Sequence, residues 1–432
     1  MFRISQFMRL IANAERSGVM APVRHAKPPG PVVIWNLIRR CNLTCKHCYA
    51  LSADHDYAGE LSFDEVCTVM DDLQRYRVPV LILSGGEPLL RADLFEIAAR
   101  AKAQRFYVGL STNGTLIDAP MADRVAAAGF DYVGISLDGM QTTHDKFRRM
   151  QGAFSKSLAA VQLLVQRGVK VGLRFTMTAL NAHDLPALLQ LMRDEQVSKF
   201  YFSHLNYAGR GNIHRAKDAQ FTATRNALDL LFERAWAAAW EGSARGAGPP
   251  QAARTPTGGG AEGAWGLSSE EYVTGNNDAD GPYLLQWVQR RFPQWSSAVR
   301  EHLVAWGGNS SGVNVANIDN LGNVHPDTMW WHHTLGNVRS RAFSEIWADT
   351  SDALMAGLKA KPRPVQGRCA SCMHFNICGG NTRVRAQQVT GNAWAEDPGC
   401  YLGDAEIGCA SAAERVRITP FTHVRIEHAR LT

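Results

Sequence analysis

Three cysteines in one short segment, Cys41, Cys45 and Cys48, constrain this chain more than any other feature. They follow an apolar run, Val32–Leu37, that is typical of a buried β-strand. The C-x3-C-x2-C spacing lets one loop supply three thiolates, enough to bind three irons of a cubane cluster. No fourth cysteine lies nearby, so one iron would stay open. An open iron can bind a molecule and act on it, whereas a fully ligated cluster only passes electrons.

Length and composition set the broad limits. The 432 residues, 45% of them apolar, suit a barrel with an appended module. No run of about 18 apolar residues occurs, so we expect no membrane span. Seven of the nine cysteines fall into two motif-like groups without a secretory signal, which favours cluster ligation in the cytoplasm over disulfides. The net charge of +6 comes without a dense basic block, so we expect no nucleic-acid partner.

Between residues 31 and 205, apolar runs alternate with segments of helical periodicity. The runs are Val32–Leu37, Val80–Ser84, Tyr107–Ser111, Tyr132–Leu137, Val169–Thr176 and Lys199–Ser203. The helical segments are Ser62–Tyr76, Asp93–Gln104, Ala119–Ala128, Ser155–Arg167 and Asp184–Glu195. This alternation predicts an α/β fold with a parallel sheet, namely a partial (β/α)6 TIM-type barrel. Its site should lie at the carboxyl ends of the strands.

Composition predicts four regions along the chain. We expect an N-terminal arm or short surface helix over 1–30 and the barrel over 31–240. A Gly/Pro-rich linker or insertion over 241–270 comes next. Residues 271–432 would form a helical segment and a C-terminal cluster module, with a β-hairpin over 313–326.

Three further strands end in glycine or small polar residues. The motifs are Gly85-Gly86-Glu87 after the second run, Ser111 with Asn113 after the third, and Ser136 after the fourth. Glycines let backbone approach a ligand closely, and a carboxylate can accept hydrogen bonds from an ammonium group. Each motif alone would more often be an ordinary turn, but beside the cysteine loop they predict a ligand site.

Together these motifs resemble the radical S-adenosylmethionine superfamily over about residues 31–205. The resemblance implies a [4Fe-4S] cluster on the three cysteines, whose open iron chelates S-adenosylmethionine. Reductive cleavage of that cofactor gives a 5′-deoxyadenosyl radical, and a small donor such as flavodoxin or ferredoxin supplies the electron. By motif match the cofactor contacts are Gly85, Gly86 and Glu87 for the amino group, Ser111, Asn113 and Ser136 for ribose or carboxylate, and His47 and Tyr49 near cluster and adenine.

Three arginines are candidates for pairing with a carboxylate of cofactor or substrate. Arg148 and Arg149 are as consistent with solvated cations at a helix end as with ligands. Arg174 alternates with apolar residues of the fifth run, so it would be the better ligand if its side chain points inward.

A second cysteine group lies near the C-terminus. Its members are Cys369, Cys372, Cys378 and Cys400. A structural zinc site is the alternative, but four cysteines beside a cluster domain favour a second cluster. Cys409 could compete with Cys400, whereas Cys67 fits buried packing on a helical face.

The segment resembles the SPASM extension of the superfamily, which commonly holds two auxiliary clusters. Three cysteines of that pattern are missing here: Asp327 and Thr382 stand at two positions, and none occurs near Asn309–Ser311. The resemblance therefore implies one auxiliary, fully ligated [4Fe-4S] cluster.

Four stretches resemble the NirJ branch, the proteins of heme d1 synthesis. They are Met1–Gln6, His204–His214, Thr274–Gly281 and Trp331–Val338. This resemblance implies a tetrapyrrole substrate, 12,18-didecarboxysiroheme, that loses two propionate side chains, which oxo groups replace. Candidate axial iron ligands are His204, His214, His332 and His333, although each alone more often forms only hydrogen bonds.

Other functions remain open. An AhbD-like enzyme would decarboxylate iron-coproporphyrin III to heme, and a peptide-modifying SPASM enzyme would act on a peptide. From another class, an electron-transfer or zinc-stabilised binding protein would need neither the open iron nor Gly85-Gly86-Glu87.

Overall fold

The computed structural model describes residues 1–23, 30–219, 221–245 and 270–409. Its centre is one ten-stranded sheet in the order β10-β9-β8-β1-β2-β3-β4-β5-β6-β7. The strands are β1 Val32–Asn36, β2 Val80–Ser84, β3 Tyr107–Thr112, β4 Tyr132–Ser136, β5 Val171–Met177, β6 Lys199–His204, β7 Glu271–Gly275, β8 Val315–Ile318, β9 Asn323–His325 and β10 Gly336–Asn337. Strands β8 and β1 to β7 pair in parallel, whereas β9 and β10 pair antiparallel.

Helices connect and flank these strands. Those of the barrel half are α1 Ile4–Ser17, α2 Phe63–Arg75, α3 Leu94–Ala103, α4 Ala119–Ala127, α5 Gln141–Arg148, α6 Ala153–Gln166, α7 Leu185–Asp194, α8 Gly209–Ile213 and α9 Phe221–Arg245. The helices of the C-terminal half are α10 Asp280–Arg291, α11 Ser296–Trp306, α12 Phe343–Ala348, α13 Ala353–Lys359, α14 Phe375–Cys378 and α15 Arg383–Thr390. In the described part of the chain, no helix is long and apolar enough to span a bilayer.

The predicted α/β barrel is confirmed, since all six apolar runs form neighbouring parallel strands. The sheet also continues beyond residue 240. β7 pairs with β6, and β8 of the predicted hairpin pairs with β1, with Val32 opposite Val315. The boundary predicted at residue 240 therefore does not mark the end of the sheet. Of the predicted linker, residues 246–269 lie outside the described residues, and 241–245 continue α9.

The N-terminal segment is an integral helix rather than an arm. α1 buries one face, including Ile4, Met8 and Ile11, and it packs against α9 and β7. Phe2 exchanges backbone hydrogen bonds with Thr274, both at 2.7 Å. The amphipathic pattern indicated a surface helix, but its apolar stripe covers the edge of the barrel.

Candidate active site

The three cysteines of the first motif converge in the loop after β1. Cys41 and Cys45 are buried with Leu43, and Cys48 and Met150 pack against them. Burial, and then the charge of Glu87, raises the pKa of the Cys41 thiol. Because metal ligation requires thiolates, a cation or an iron in this loop would offset that cost.

The two motif glycines contact the cysteine loop itself. A β-carbon at Gly85 would collide with the carbonyl oxygen of Ile38, and one at Gly86 with that of Arg40. The N–H of Gly86 donates to Ile38 at 2.7 Å, and the N–H of Glu87 donates to Arg40 at 2.9 Å. Glycine is therefore needed at both positions, because the two backbones approach each other closely. This close contact fixes the position of the cysteine loop relative to the end of β2.

Glu87 is fully buried, and its carboxylate joins β2 to β3. It accepts hydrogen bonds from the Thr112 hydroxyl at 2.7 Å, the Asn113 N–H at 2.8 Å and the Leu89 N–H at 3.2 Å. Burial raises the pKa of Glu87, while these donors favour the carboxylate. In this structure its side chain orients the end of β3.

Asn113 connects β3 to the cysteines. Its amide nitrogen donates to Asn42 at 2.9 Å and lies 3.9 Å from the Cys41 sulfur. Its side-chain oxygen accepts from the backbone and hydroxyl of Thr115 at 2.8 and 2.7 Å. The amide is thereby fixed with its donor toward Cys41.

A buried ion pair lies on the other side of the loop. Arg148 donates to the Cys45 sulfur at 3.5 Å and pairs with Asp138, which is fully buried. The ring of His47 stacks on Phe147, and its Nε2 lies 3.8 Å from Asp138. Burial alone would raise the pKa of Asp138, but the charge of Arg148, together with His47, His144 and the Thr176 N–H, outweighs burial and lowers that pKa. Asp138 was missed from sequence, although it lies inside the Ser136–Gly139 motif.

The two adjacent arginines are therefore not equivalent. Arg148 is 7% exposed, whereas Arg149 is exposed at the end of α5. From sequence, a solvated cation is equally consistent with both. The helix ends at Arg148, whose side chain faces the cysteine loop. Arg149 follows in the left-handed backbone conformation, and its side chain is exposed to solvent.

Arg210 of α8 clamps the cysteine loop from the end of β6. Its Nε donates to the Cys45 carbonyl at 2.7 Å, and its terminal nitrogen donates to that of Ser52 at 2.9 Å. Its backbone N–H donates to Cys48 at 2.9 Å. No sequence signal points to this role beyond the place of Arg210 in the His204–His214 stretch.

Inside the barrel, Arg174 of β5 points inward. It donates to the Ser111 hydroxyl at 3.0 Å and lies 5.0 Å from the centre of the Tyr201 ring. Ser136 of β4 is half-buried and stands beside Arg174 in the strand register. This group supplies one cation and two hydroxyls to the barrel lumen.

Tyr49 lies at the end of the cysteine loop. Its hydroxyl accepts from Asn36 at 2.8 Å, and its ring meets that of Trp331 edge-on at 5.9 Å. The aromatic pair connects the loop to the residues after β9.

The second cysteine group lines one pocket of the C-terminal region. Cys369, Cys372, Cys378 and Cys400 all contribute to it, together with Arg368. Cys409 instead lies 3.2 Å from the Ser371 hydroxyl. Burial raises the pKa of Cys400 to about 12. Among the described residues, no three His, Cys, Asp or Glu side chains are close enough to share one metal ion.

The positions without cysteine form a polar network. The hydroxyl of Ser311 donates to Asp327. The guanidinium of Arg363 donates to the Asn309 side chain at 3.0 Å and to the Ser311 carbonyl at 3.4 Å. Thr382 donates to the Asn276 carbonyl at 2.9 Å. The side chains at these positions therefore form hydrogen bonds within the protein.

The four candidate histidines differ in environment. His204 is buried, with its Nε2 at 3.0 and 3.1 Å from the carboxylate oxygens of Asp280. His333 pairs with Asp352 at 2.9 Å. His332 is exposed; its Nε2 lies 3.1 and 3.3 Å from the amides of Gln387 and Gln388, and its ring centre lies 5.4 Å from that of Trp330. His214 is half-buried.

The donor set of the first site suits an iron–sulfur cluster. Three thiols lie on one loop, with an amide N–H donor near Cys41 and a guanidinium at Cys45, both of which stabilise sulfur carrying negative charge. The four thiols around the C-terminal pocket offer the same kind of donor.

Comparisons with known proteins agree over the whole chain. The model of the Radical SAM superfamily matches residues 35–192. The pre-heme d1 synthase of Dinoroseobacter shibae is 50% identical over 98% of this chain and 97% of its own length. The Fe-coproporphyrin III synthase of Methanosarcina barkeri is 42% identical over 89% of this chain and 91% of its own length.

Solved structures agree on the fold. Streptococcus suis SuiB bound to S-adenosylmethionine superposes with a TM-score of 0.62 at 13% identity, over 91% of this chain and 81% of SuiB. The cysteine loop, the strand order and the relatives lead to one conclusion: this chain belongs to the radical SAM superfamily, whose enzymes use a [4Fe-4S] cluster and S-adenosylmethionine.

Proposed function

We propose that this enzyme acts in heme d1 synthesis. It removes two propionate side chains from 12,18-didecarboxysiroheme, and oxo groups take the place of these two side chains. The single observation that carries the proposal is the arrangement of three stretches around the cysteine loop. These are His204–His214, Thr274–Gly281 and Trp331–Val338. The 50% identity to a pre-heme d1 synthase supports the same conclusion.

Contacts connect these stretches to one another and to the cysteine loop. His204 pairs with Asp280, joining the first stretch to the second. Trp331 of the third meets Tyr49 of the cysteine loop. Gln388 accepts from Asn212 at 2.8 Å and contacts His332, joining the third stretch to the first. In this proposal the substrate would lie beside the cysteine loop, where Trp331 meets Tyr49.

In this proposal Cys41, Cys45 and Cys48 hold the cluster, and Asn113 and Arg148 hydrogen-bond to its ligands. When bound, the cluster supplies the electron that cleaves S-adenosylmethionine to methionine and a 5′-deoxyadenosyl radical. Glu87 fixes the end of β3, from which Ser111 and Asn113 would present their polar groups to the cofactor. Ser136 and Arg174 line the adjoining lumen, where a guanidinium suits a propionate carboxylate.

His332 is the residue we assign as axial ligand to the substrate iron. Its ring is exposed beside that of Trp330, and among the described residues the hydrogen-bonding partners of its Nε2 are two side-chain amides, which cost little to exchange. His204 and His333 already pair with carboxylates, so iron ligation would break an ion pair.

The four C-terminal cysteines would hold one auxiliary [4Fe-4S] cluster in this proposal. Cys400 completes the set, since it lines the pocket with the other three. A small protein such as flavodoxin or ferredoxin would supply electrons. Asp327, Thr382 and the Asn309–Ser311 segment stand where the SPASM extension has further cysteines, and Arg363 donates hydrogen bonds to Asn309 and Ser311.

Product analysis tests the proposal. Anaerobically reconstituted enzyme with dithionite and S-adenosylmethionine should convert didecarboxysiroheme with loss of two propionates, as measured by mass spectrometry. The second candidate substrate, suggested by the Fe-coproporphyrin III synthase relative, is an iron porphyrin of coproporphyrin type. Preferential turnover of iron-coproporphyrin III would contradict the d1 assignment. Absence of 5′-deoxyadenosine with either substrate would contradict the radical chemistry as well.

A further inference from the structure

Arg148 makes a contact that no cofactor-binding motif accounts for. It extends from the end of α5 and is 7% exposed, and one guanidinium nitrogen lies 3.5 Å from the sulfur of Cys45. A second nitrogen pairs with Asp138. A permanent positive charge is thus held against one of the three cysteines in a water-excluded environment.

Asp138 is itself held from two sides. Its carboxylate accepts from the Thr176 N–H of β5 at 2.8 Å, and its own N–H donates to His144 at 3.0 Å. The Asp138 carboxylate is therefore held in place, and it fixes the orientation of the Arg148 guanidinium. The pair is a rigid part of the barrel rather than a mobile surface salt bridge.

Charge and hydrogen bonds at the sulfur atoms are what a protein uses to set the potential of an iron–sulfur cluster. Reduction adds a negative charge, which a buried cation stabilises more strongly than an exposed one does. We propose that Arg148 is a positioning and tuning residue that raises the reduction potential of the barrel cluster, with Asp138 as the fixed counter-charge that moderates it. The inference rests on the ligand assignment of the proposed function.

A purely structural role of Arg148 would give a different result in the variants. Arg148 also helps hold α5 to the cysteine loop, where the N–H of Lys46 donates to Phe147 at 3.1 Å. If bracing were its whole role, replacing either member of the pair would loosen the loop without opposite electrostatic effects. Tuning requires that loss of Arg148 and loss of Asp138 shift the potential in opposite directions.

The test is a redox titration of the full-length, anaerobically reconstituted protein, monitored by the EPR signal that responds to S-adenosylmethionine. Arg148→Gln should make the midpoint more negative by at least a tenfold change in the reduced-to-oxidised ratio, about 59 mV for one electron. Asp138→Asn should make it less negative. Lys146→Gln, which removes an exposed charge of the same helix, should leave it unchanged.

Arg148→Gln leaves Asp138 buried without its partner, which can prevent folding. In that case the test compares the double variant Asp138→Asn/Arg148→Gln with Asp138→Asn alone. The double variant should have the more negative midpoint potential. Equal midpoints at full iron content, in either comparison, would overturn the tuning role while leaving the proposed function intact. A signal responsive to S-adenosylmethionine that persists in Cys45→Ala would instead overturn the ligand assignment, and the inference with it.

Discussion

The backbone N–H of Asn113 donates to the carboxylate of Glu87 at 2.8 Å, which fixes the end of β3 to the end of β2. The same Asn113 presents its amide nitrogen 3.9 Å from the Cys41 sulfur. A glutamate directly after a glycine pair therefore controls the position of a group on the next strand. Its effect on the cofactor would pass through this contact.

Glu87→Gln should weaken S-adenosylmethionine binding. A glutamine must turn an NH2 group toward at least one of three donors, so a buried donor loses its acceptor at a cost of about 1–3 kcal/mol. The dissociation constant should rise roughly 5- to 150-fold, as measured by equilibrium dialysis on the reconstituted protein. Glu96→Gln on the exposed face of α3 is the matched control. Equal affinities in the two variants would rule out this role of Glu87.

The iron content should report two clusters. Wild-type protein should hold about eight irons, and the triple alanine variant of Cys41, Cys45 and Cys48 about four, without 5′-deoxyadenosine formation. Cys67→Ala on α2 should keep all eight. About twelve irons would reveal a third cluster, whereas four irons and one zinc would support a structural zinc site instead.

The sequence allowed the barrel and the cysteine loop to be predicted, because both depend on local patterns. Apolar runs identified each of β1 to β6, and spacing identified the cysteines. The partners of the motif residues could not be read in this way. The contact of Gly85 with Ile38 and the hydrogen bond of Arg148 to Cys45 both join segments that are far apart in sequence, so no local pattern predicts them.

The edges of the sheet were missed for the same reason. β7 comes after a long segment without apolar periodicity, and β8 is the first strand of a hairpin that appeared self-contained. Only pairing with β6 and β1 assigns them to the barrel sheet. Likewise, Arg210 shows no sequence signal, since its three bonds to the cysteine loop all join residues more than 150 positions apart.

Asp397→Asn should destabilise the C-terminal region. Arg385 and Asp397 form a fully buried pair with contacts of 2.7 and 2.8 Å, so the variant leaves a buried unpaired guanidinium at a cost of about 3–5 kcal/mol. Burial opposes ionisation of Asp397, but the charge and hydrogen bonds of Arg385, together with Arg383 and the Gly399 N–H, outweigh burial and lower the pKa. A depressed carboxyl pKa stabilises the fold above the unfolded value of about 3.9, so the deficit should be constant from about pH 6 to pH 8.

Thermal unfolding of the cluster-loaded protein measures this deficit. Glu65→Gln, which removes the exposed partner of Arg339, should have a much smaller effect. The deficit should become smaller as the pH falls below about 4, so a deficit that grew on acidification from about pH 6 to pH 4 would contradict the sign given for Asp397.

His332→Ala should change the spectrum of a bound iron tetrapyrrole. With ferric coproporphyrin III as probe, wild-type protein should give a Soret band typical of histidine ligation, and the variant should lose it. His204→Ala should keep the band while losing stability, because that ring pairs with Asp280 inside the protein. Loss of the band in His204→Ala alone would reverse the assignment, and no binding by wild-type protein would count against a tetrapyrrole substrate.

The auxiliary cluster should be needed for substrate conversion but not for cofactor cleavage. Replacing Cys378 by alanine removes one ligand from the C-terminal pocket, while the barrel cysteines lie on a separate loop. Dithionite-dependent 5′-deoxyadenosine formation should therefore persist, and propionate loss should stop. Cys409→Ala, outside the pocket lining, is the matched control and should retain both activities.

Metal binding and folding are coupled, so a loss of activity has two explanations. Circular dichroism and protease resistance of Cys378→Ala separate them, since an unfolded C-terminal region would change both. A folded variant that makes 5′-deoxyadenosine but no tetrapyrrole product would assign the cluster to substrate conversion. Normal propionate loss in a folded variant without the auxiliary cluster would refute that role and leave the cluster as scaffold.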